Sequence, residues 1–81
     1  MTIHIRYFAM LQEQAGCSQE SLEIDATETT GEALYQLLSQ KYHFQLAPAL
    51  VKVAINDEFR AWHHPVQDGD RVVFIPPVAG G

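Results

Sequence analysis

The order of apolar patterns along this chain limits the folds open to it more than any other feature. Residues 2–8 alternate strictly, with Ile3, Ile5 and Tyr7 on one side, and residues 21–25 alternate in the same way. A period of two indicates strands with one buried face. Short apolar runs predict further strands, and these cover residues 51–56, residues 71–75 and, as a short edge strand, residues 59–62.

A single long helix is predicted between the second and third of these strands. The evidence is an apolar stripe at helical spacing, Leu34, Leu37, Leu38 and Tyr42, behind a capping box formed by Thr29 and Glu32. Residues 9–15 predict a short helical turn that stops at Gly16, while residues 44–50 and 65–70 are typical of a loop and a turn. This order predicts an α+β fold in which one main helix covers one face of a sheet.

Length and composition narrow the classes of function. At 81 residues, with 47% hydrophobic and 19% charged, the chain fits a single domain over residues 1–81. No apolar run nears the roughly 20 residues of a membrane helix, and a formal charge of −5 argues against nucleic acid as a partner. The one cysteine, Cys17, excludes an internal disulfide framework, so we expect a reducing cytoplasm.

The last six residues predict an extended C-terminal tail. Proline donates no backbone N–H, so the last strand cannot continue as a central strand through two prolines. Six residues at roughly 3.3 Å each reach about 20 Å. Two glycines at the tip would let backbone alone enter a narrow channel and present a carboxylate there, although a frayed terminus is the alternative. The tail comprises Pro76, Pro77, Val78, Ala79, Gly80 and Gly81.

The other reactive residue types favour structural roles. Cys17 has no histidine near it in sequence, so we expect it to pack as a small apolar side chain, with a sulfur relay as the alternative. His63 and His64 are adjacent, and no cysteine or carboxylate completes a metal site at ligand spacing, which predicts a loop and no metal. The acidic residues at 57–58 and 68–70 are typical of turns.

Three segments resemble the sulfur-carrier small subunits of molybdopterin synthase, the MoaD-type proteins. They are Tyr7-Phe8-Ala9 followed by Leu11 and Gly16, the run Val53-Ala54-Ile55-Asn56, and residues 65–81 with an Asp-Gly-Asp turn and a Pro-Pro-Val-x-Gly-Gly ending. The resemblance extends over essentially the whole chain. It implies the β-grasp fold of ubiquitin, a mixed sheet on one main helix with the first and last strands adjacent and central. Arg71 departs from the family, which commonly has an acid there, and we expect it to alter partner contacts but not the chemistry.

The resemblance also implies a chemistry for Gly81. In this family an E1-like adenylyltransferase (MoeB-type) uses ATP to adenylate the terminal carboxylate, and sulfur from a donor protein converts it to a thiocarboxylate. The tail then enters the large subunit of the synthase (MoaE-type), where the sulfur attacks a pterin precursor, precursor Z, to build the dithiolene of molybdopterin. The small subunit is thus expected to be no enzyme on its own and to hold no permanent cofactor, because the activating partner binds the ATP.

Three other roles remain open at this point. One is a sulfur carrier for thiamine thiazole or another thio-product, although those carriers are typically shorter and lack the same ending. Another is a ubiquitin-like protein modifier whose Gly81 forms an isopeptide bond to a lysine. The last is a non-covalent interaction module, for which an extension beyond Gly81 would change nothing.

Strand alternation predicts a partner-binding face. If the alternating apolar residues of the first strand face the helix, Phe8 lies on the opposite face of the sheet together with Val73 and Ile75, and Phe59 extends that patch. Exposed apolar patches usually mark partner sites. Phe8, Phe59 and Ile75 also fall at positions that the family uses to grip its partners. The alternative for Phe8 is that it folds over residues 9–15 and belongs to the core.

Overall fold

The structure of the protein, a computed structural model, describes residues 1–77. Val78, Ala79, Gly80 and Gly81 of the predicted tail lie outside the described residues. The elements are β1 (Thr2–Tyr7), α1 (Ala9–Ala15), β2 (Gln19–Glu23), β3 (Thr29–Thr30), α2 (Gly31–Tyr42), a 3₁₀ turn (Pro48–Leu50), β4 (Lys52–Ile55), β5 (Glu58–Arg60), β6 (Pro65–Val66) and β7 (Arg71–Ile75).

Within residues 1–77, five strands form a mixed sheet in the order β2-β1-β7-β4-β5. β1 and β7 run parallel, with Ile5 opposite Val72 and Tyr7 opposite Phe74, and the other neighbours are antiparallel. The first and last strands are therefore adjacent in the middle of the sheet. This confirms the predicted α+β class and the β-grasp arrangement.

The hydrophobic core lies between α2 and one face of the sheet. Its buried side chains include Ile3, Ile5, Tyr7, Leu34, Leu38, Val53, Val72 and Phe74. His4 and Arg6, which alternate with these residues on β1, are exposed, so the predicted strand alternation is confirmed. Full burial of an apolar side chain of this size contributes about 1.5–3 kcal/mol, which fixes the register of each central strand.

Two details of α2 differ from the prediction. The helix is capped by Thr30, whose hydroxyl accepts a hydrogen bond from the Ala33 amide at 3.1 Å, and not by Thr29. Leu37, assigned to the buried stripe, is exposed, whereas Tyr35 is buried. Tyr35 takes this place because aromatic rings from distant segments surround it, with centroids 5.3–5.5 Å away, and its hydroxyl donates to a loop carbonyl at 2.7 Å.

The segment between β5 and β7 is more ordered than the sequence pattern indicates. Trp62, predicted on an edge strand, lies in a turn beyond β5, stacks on Phe74 at 6.0 Å and donates its indole N–H to the carbonyl of Pro48 at 3.2 Å. The predicted turn at 65–70 begins with β6, which pairs with β3, so Val66 is buried. In the part of the chain that the structure describes, no helix is long and apolar enough to cross a membrane.

Candidate functional site

The face of the sheet turned away from α2, the outer face, is organised in rows by the strand register. One row runs from Arg6 through Val73 and Ala54 to Phe59, across four neighbouring strands. Side chains that lie opposite each other in this way are neighbours on one face. The row therefore joins a cation at one side to an apolar group at the other.

A second row lies one step closer to the end of β7. Ile75 is paired with Lys52 across β7 and β4. Phe8 directly follows Tyr7, and Tyr7 lies opposite Phe74, so Phe8 comes to the level of Ile75. Phe8 and Ile75, predicted from separate parts of the sequence, thus lie at the same level where β7 ends.

The apolar side chains of the outer face differ in their exposure. Phe59 is 66% exposed and Phe8 40% exposed, while Val73 and Ile75 are half-buried. Ala54 is buried between its cross-strand neighbours. The predicted outward placement of Phe8 is confirmed, and the alternative that Phe8 belongs to the core is wrong. Its contact with a partner stays a prediction.

Local backbone geometry holds Phe8 in place. Phe8 is extended, with φ −129° and ψ 153°, and it precedes α1 as the N-cap residue. Ala9 then has a φ of 49°, a left-handed value that few alanines adopt. The carbonyl of Phe8 accepts hydrogen bonds from the amides of Leu11 and Gln12 at 3.1 and 3.3 Å. This abrupt turn ends the strand at Tyr7 and leaves the Phe8 ring beside the outer face.

The root of the tail departs from its prediction in one respect. The sequence predicts that the whole segment 76–81 leaves the domain, but of its two described residues Pro76 is buried and Pro77 is exposed. Pro76 continues the alternation of Val72 and Phe74, which places its ring against the core. The domain therefore ends one residue later than predicted. The remainder of the predicted tail, from Val78 to Gly81, lies outside the described residues.

A partly buried carboxylate, that of Glu20, ties the sheet to α2 near this end of the molecule. Glu20 accepts hydrogen bonds from the hydroxyls of Tyr7 at 2.7 Å and Tyr42 at 2.6 Å, and Lys41 lies 3.7 Å away. Burial opposes ionisation of Glu20, but these hydrogen bonds and the Lys41 charge outweigh it, so the pKa of Glu20 lies below its ordinary value. Burial and the bond to Glu20 raise the pKa of Tyr7.

Cys17 lies beside this carboxylate. Its Sγ is 3.9 Å from the carboxylate of Glu20. Burial, followed by the charge of Glu20, raises the pKa of the Cys17 thiol. A thiol held in its protonated form is a weak nucleophile. The surroundings of Cys17 therefore agree with the structural role predicted for it.

Charged side chains occupy the half of the outer face farther from the tail. Arg71 forms an ion pair with Asp57 at 2.7 Å, and its amide donates to the side chain of Asn56 at 3.0 Å. His4 lies opposite Arg71 on β1 and its ring is 3.2 Å from the hydroxyl of Ser21. The departure from the family pattern at Arg71 therefore falls on the outer face.

Metal-ligating residues do not converge in residues 1–77: no group of three or more His, Cys, Asp or Glu side chains is placed to hold an ion. His63 lies in the turn that follows β5, and His64 comes directly after that turn. Both occupy the loop that the sequence predicted for them.

Comparison with known proteins supports the observed fold and includes the last residues of the sequence. The family model described as "ThiS family" matches residues 5–81. This chain belongs to the ThiS family. Its sequence is 34% identical over 82 residues to the molybdopterin synthase sulfur carrier subunit of Escherichia coli K12, with 98% of this chain and 99% of that protein covered. The resemblance inferred from the sequence is confirmed.

Solved structures share the fold of this ThiS-family chain. A crystal structure of SAMP1 from Haloferax volcanii matches with a TM-score of 0.80 at 23% identity and covers all of both chains. A complex of subunits 1 and 2 of molybdopterin-converting factor from Helicobacter pylori 26695 contains a chain that matches with a TM-score of 0.67 at 23% identity, again with full coverage of both. At this level of identity these matches establish the fold.

Sequence reasoning missed two features of this ThiS-family site. The first is the contact of Arg6 with Phe8. Residues two apart on an extended chain point to the same face, so the alternation along β1 could have predicted this contact. The assembly around Glu20 gave no such signal, because Tyr7, Glu20 and Tyr42 come from three separate elements. Only the folded chain brings them together.

Proposed function

We propose that this ThiS-family chain is the sulfur carrier subunit of molybdopterin synthase and that Gly81 carries the sulfur. The observation that supports this most strongly is the similarity to the Escherichia coli carrier, which extends over 98% of the chain. The family match also reaches residue 81, so it includes the Gly80-Gly81 ending. A carrier function places the chemistry at the end of the tail and leaves the domain to bind partners.

The chemistry requires activation because a carboxylate is a poor electrophile. In the proposed reaction the Gly81 carboxylate attacks the α-phosphorus of ATP, bound by an E1-like adenylyltransferase, and pyrophosphate leaves. The outer sulfur of a persulfide on a donor protein then attacks the carbonyl carbon, and AMP leaves. A second thiol attacks the donor sulfur of the resulting acyl disulfide, so the S–S bond breaks, the two thiol sulfurs form a new disulfide, and Gly81 ends in a thiocarboxylate. In the large subunit this sulfur attacks the pterin precursor. Gly80 has no Cβ, so the tail stays narrow enough to reach both catalytic centres.

The outer face is proposed to dock both protein partners. Phe8 and Ile75 lie at the end of β7, and Phe59 lies in the neighbouring row on β5, so a partner bound to these side chains would be next to the root of the tail. The Helicobacter pylori structure is a complex of two subunits of molybdopterin-converting factor, which supports a large-subunit partner for this chain as well. We place the pathway in the cytoplasm, where the single cysteine stays reduced.

Reconstitution tests this proposal against its alternatives. The purified chain is incubated with ATP, the E1-like enzyme, a sulfur donor and either the large synthase subunit or a thiazole synthase, and products are identified by mass spectrometry. We expect conversion of the pterin precursor only with the large subunit. Thiazole formation would support the thiamine alternative, and conjugates of the chain to lysines of other proteins would support a modifier.

A further inference from the structure

The charges of this chain are distributed unevenly between the two sides of the sheet. The outer face carries three of the five Lys and Arg residues, namely Arg6, Lys52 and Arg71, against two acids, Glu23 and Asp57. The other eight acids of the chain lie outside this face together with only two bases. A chain with a formal charge of −5 thus presents a weakly positive face on an acidic body.

The cations of the outer face surround its apolar centre. Arg6 lies in the row that contains Val73 and Phe59, and Lys52 is paired with Ile75 at the end of β7. Arg71 lies four residues before Ile75 on the same strand, which places it about 13 Å from the root of the tail. A surface with an apolar centre and a charged rim has the arrangement of a protein interface.

The cations are available to a partner at little cost. Arg71 and its partner Asp57 have side chains that are 60% and 80% exposed. An exposed ion pair contributes about 0–1 kcal/mol, so exchanging Asp57 for a partner carboxylate loses little. Arg6 lies over the ring of Phe8, a contact through the face of the guanidinium, so that its N–H groups can still donate hydrogen bonds to a partner carboxylate.

We propose that the outer face selects a protein partner whose surface carries acidic side chains around an apolar patch, with Arg71, Arg6 and Lys52 as the specificity-determining cations. This inference rests on the proposed function and adds the chemistry of the partner to it. The excess of acids over bases on the rest of the described chain disfavours the approach of an acidic partner from those sides, so the outer face is the favoured side. Phe8, Phe59 and Ile75 then supply the short-range contacts.

The two groups of residues are expected to act on different steps of binding. Rim charges steer the encounter and raise the association rate, and salt screens this effect. The Debye length falls from about 10 Å at 0.1 M salt to about 3 Å at 1 M. Buried apolar contacts act mainly on the dissociation rate, which salt changes little.

Association kinetics with the large synthase subunit test the proposal at low and high salt. For Arg71→Glu we expect an association rate about tenfold lower at low salt, with the difference largely removed at high salt. Arg60→Glu is the matched control, because Arg60 is also exposed and paired with an acid, Glu58, but lies opposite Val53, whose side chain faces the core. Equal association rates for Arg71→Glu and Arg60→Glu at both salt concentrations would overturn the proposal.

Cross-linking gives an independent readout of the same surface. The chain has two lysines, Lys52 on the outer face and Lys41 on α2. A carbodiimide joins a lysine amine to a nearby carboxylate as an amide with loss of water. In the complex with the large subunit we expect cross-links from Lys52 to partner Asp or Glu residues, and cross-links from Lys41 alone would contradict the proposal.

The two tests separate the charge proposal from the proposed function. A wild-type chain that does not bind the large subunit at all would contradict both. A chain that binds and supports pterin conversion, but whose association is insensitive to Arg71 and to salt, would overturn only the acidic character of the partner surface.

Discussion

The guanidinium of Arg6 lies over the ring of Phe8, with its carbon 5.1 Å from the ring centroid. The two residues are neighbours on the outer face, and the left-handed backbone of Ala9 turns the chain directly after them. A cation over an exposed aromatic ring contributes about 0.5–1 kcal/mol. The contact therefore favours one position of the Phe8 ring before any partner arrives, which lowers the entropy that docking must remove.

Replacement of Phe8 by Asp is expected to weaken binding to the large subunit by more than about 2 kcal/mol, because an apolar anchor at the centre of an interface is lost. Ile75→Asp should act in the same way. Thermal stability should change little for Phe8→Asp, since the ring is 40% exposed. Titration calorimetry and thermal unfolding measure the two effects.

Leu37→Asp is the matched control for Phe8→Asp. Leu37 is 43% exposed on α2, so its change removes a similar apolar surface from the other side of the molecule. We expect normal binding for this variant. Equal losses of affinity for Leu37→Asp and Phe8→Asp, or unfolding of the Phe8 variant, would contradict the assignment of the outer face.

Much of the fold was predictable because local patterns set it. The alternation of Ile3, Ile5 and Tyr7 identified the buried face of β1, and the same reasoning placed Phe8 outward. The errors arose where distant segments decide the outcome. Tyr35 is buried in preference to Leu37 because rings from other elements surround it, and Trp62 turns inward to stack on Phe74. The spacing of apolar residues within one helix or strand gives no information about such contacts between separate elements.

The left-handed conformation of Ala9 predicts that the stability of the protein depends strongly on the residue type at position 9. A β-branched side chain at a φ of 49° is strained, so Ala9→Val should lower the free energy of unfolding by about 1–3 kcal/mol. Ala9→Gly relieves the backbone and should leave stability within about 1 kcal/mol of wild type. Urea unfolding measures both variants. Equal stabilities for valine and glycine at this position would show that the backbone there is not strained.

The hydrogen bonds to Glu20 predict a pH-dependent contribution to stability. Because the pKa of Glu20 is lowered in the folded chain, the contribution is present above its ordinary value of 4.5 and is lost as the pH falls through the folded pKa. Glu20→Gln should lower the free energy of unfolding by about 1–3 kcal/mol near neutral pH. The deficit should shrink as the pH falls below the ordinary value of 4.5 and through the folded pKa.

Glu13→Gln, at an exposed position of α1, provides the control for this charge change. We expect no comparable loss of stability for it at either pH, as measured by urea unfolding. A deficit for Glu20→Gln that is constant from neutral to acidic pH would show that the ionised carboxylate is not what Tyr7 and Tyr42 stabilise.

Cys17 provides a test of where the sulfur resides. If the sulfur is carried on the C-terminal carbonyl, Cys17→Ser should accept and donate sulfur at near wild-type rates in the reconstituted system. The protonated, partly buried thiol beside Glu20 supports this expectation. A variant that folds normally but takes up no sulfur would move the chemistry to the thiol.

The most direct test of the account is the intact mass of the chain after incubation with the E1-like enzyme, ATP and a sulfur donor. We predict a mass increase equal to the exchange of one oxygen for one sulfur, located at Gly81 by fragmentation. The increase should be absent when Gly81 is deleted or followed by one extra residue. An unchanged mass in the wild-type chain, or full sulfur transfer by the extended chain, would contradict the assignment of Gly81 as the sulfur carrier.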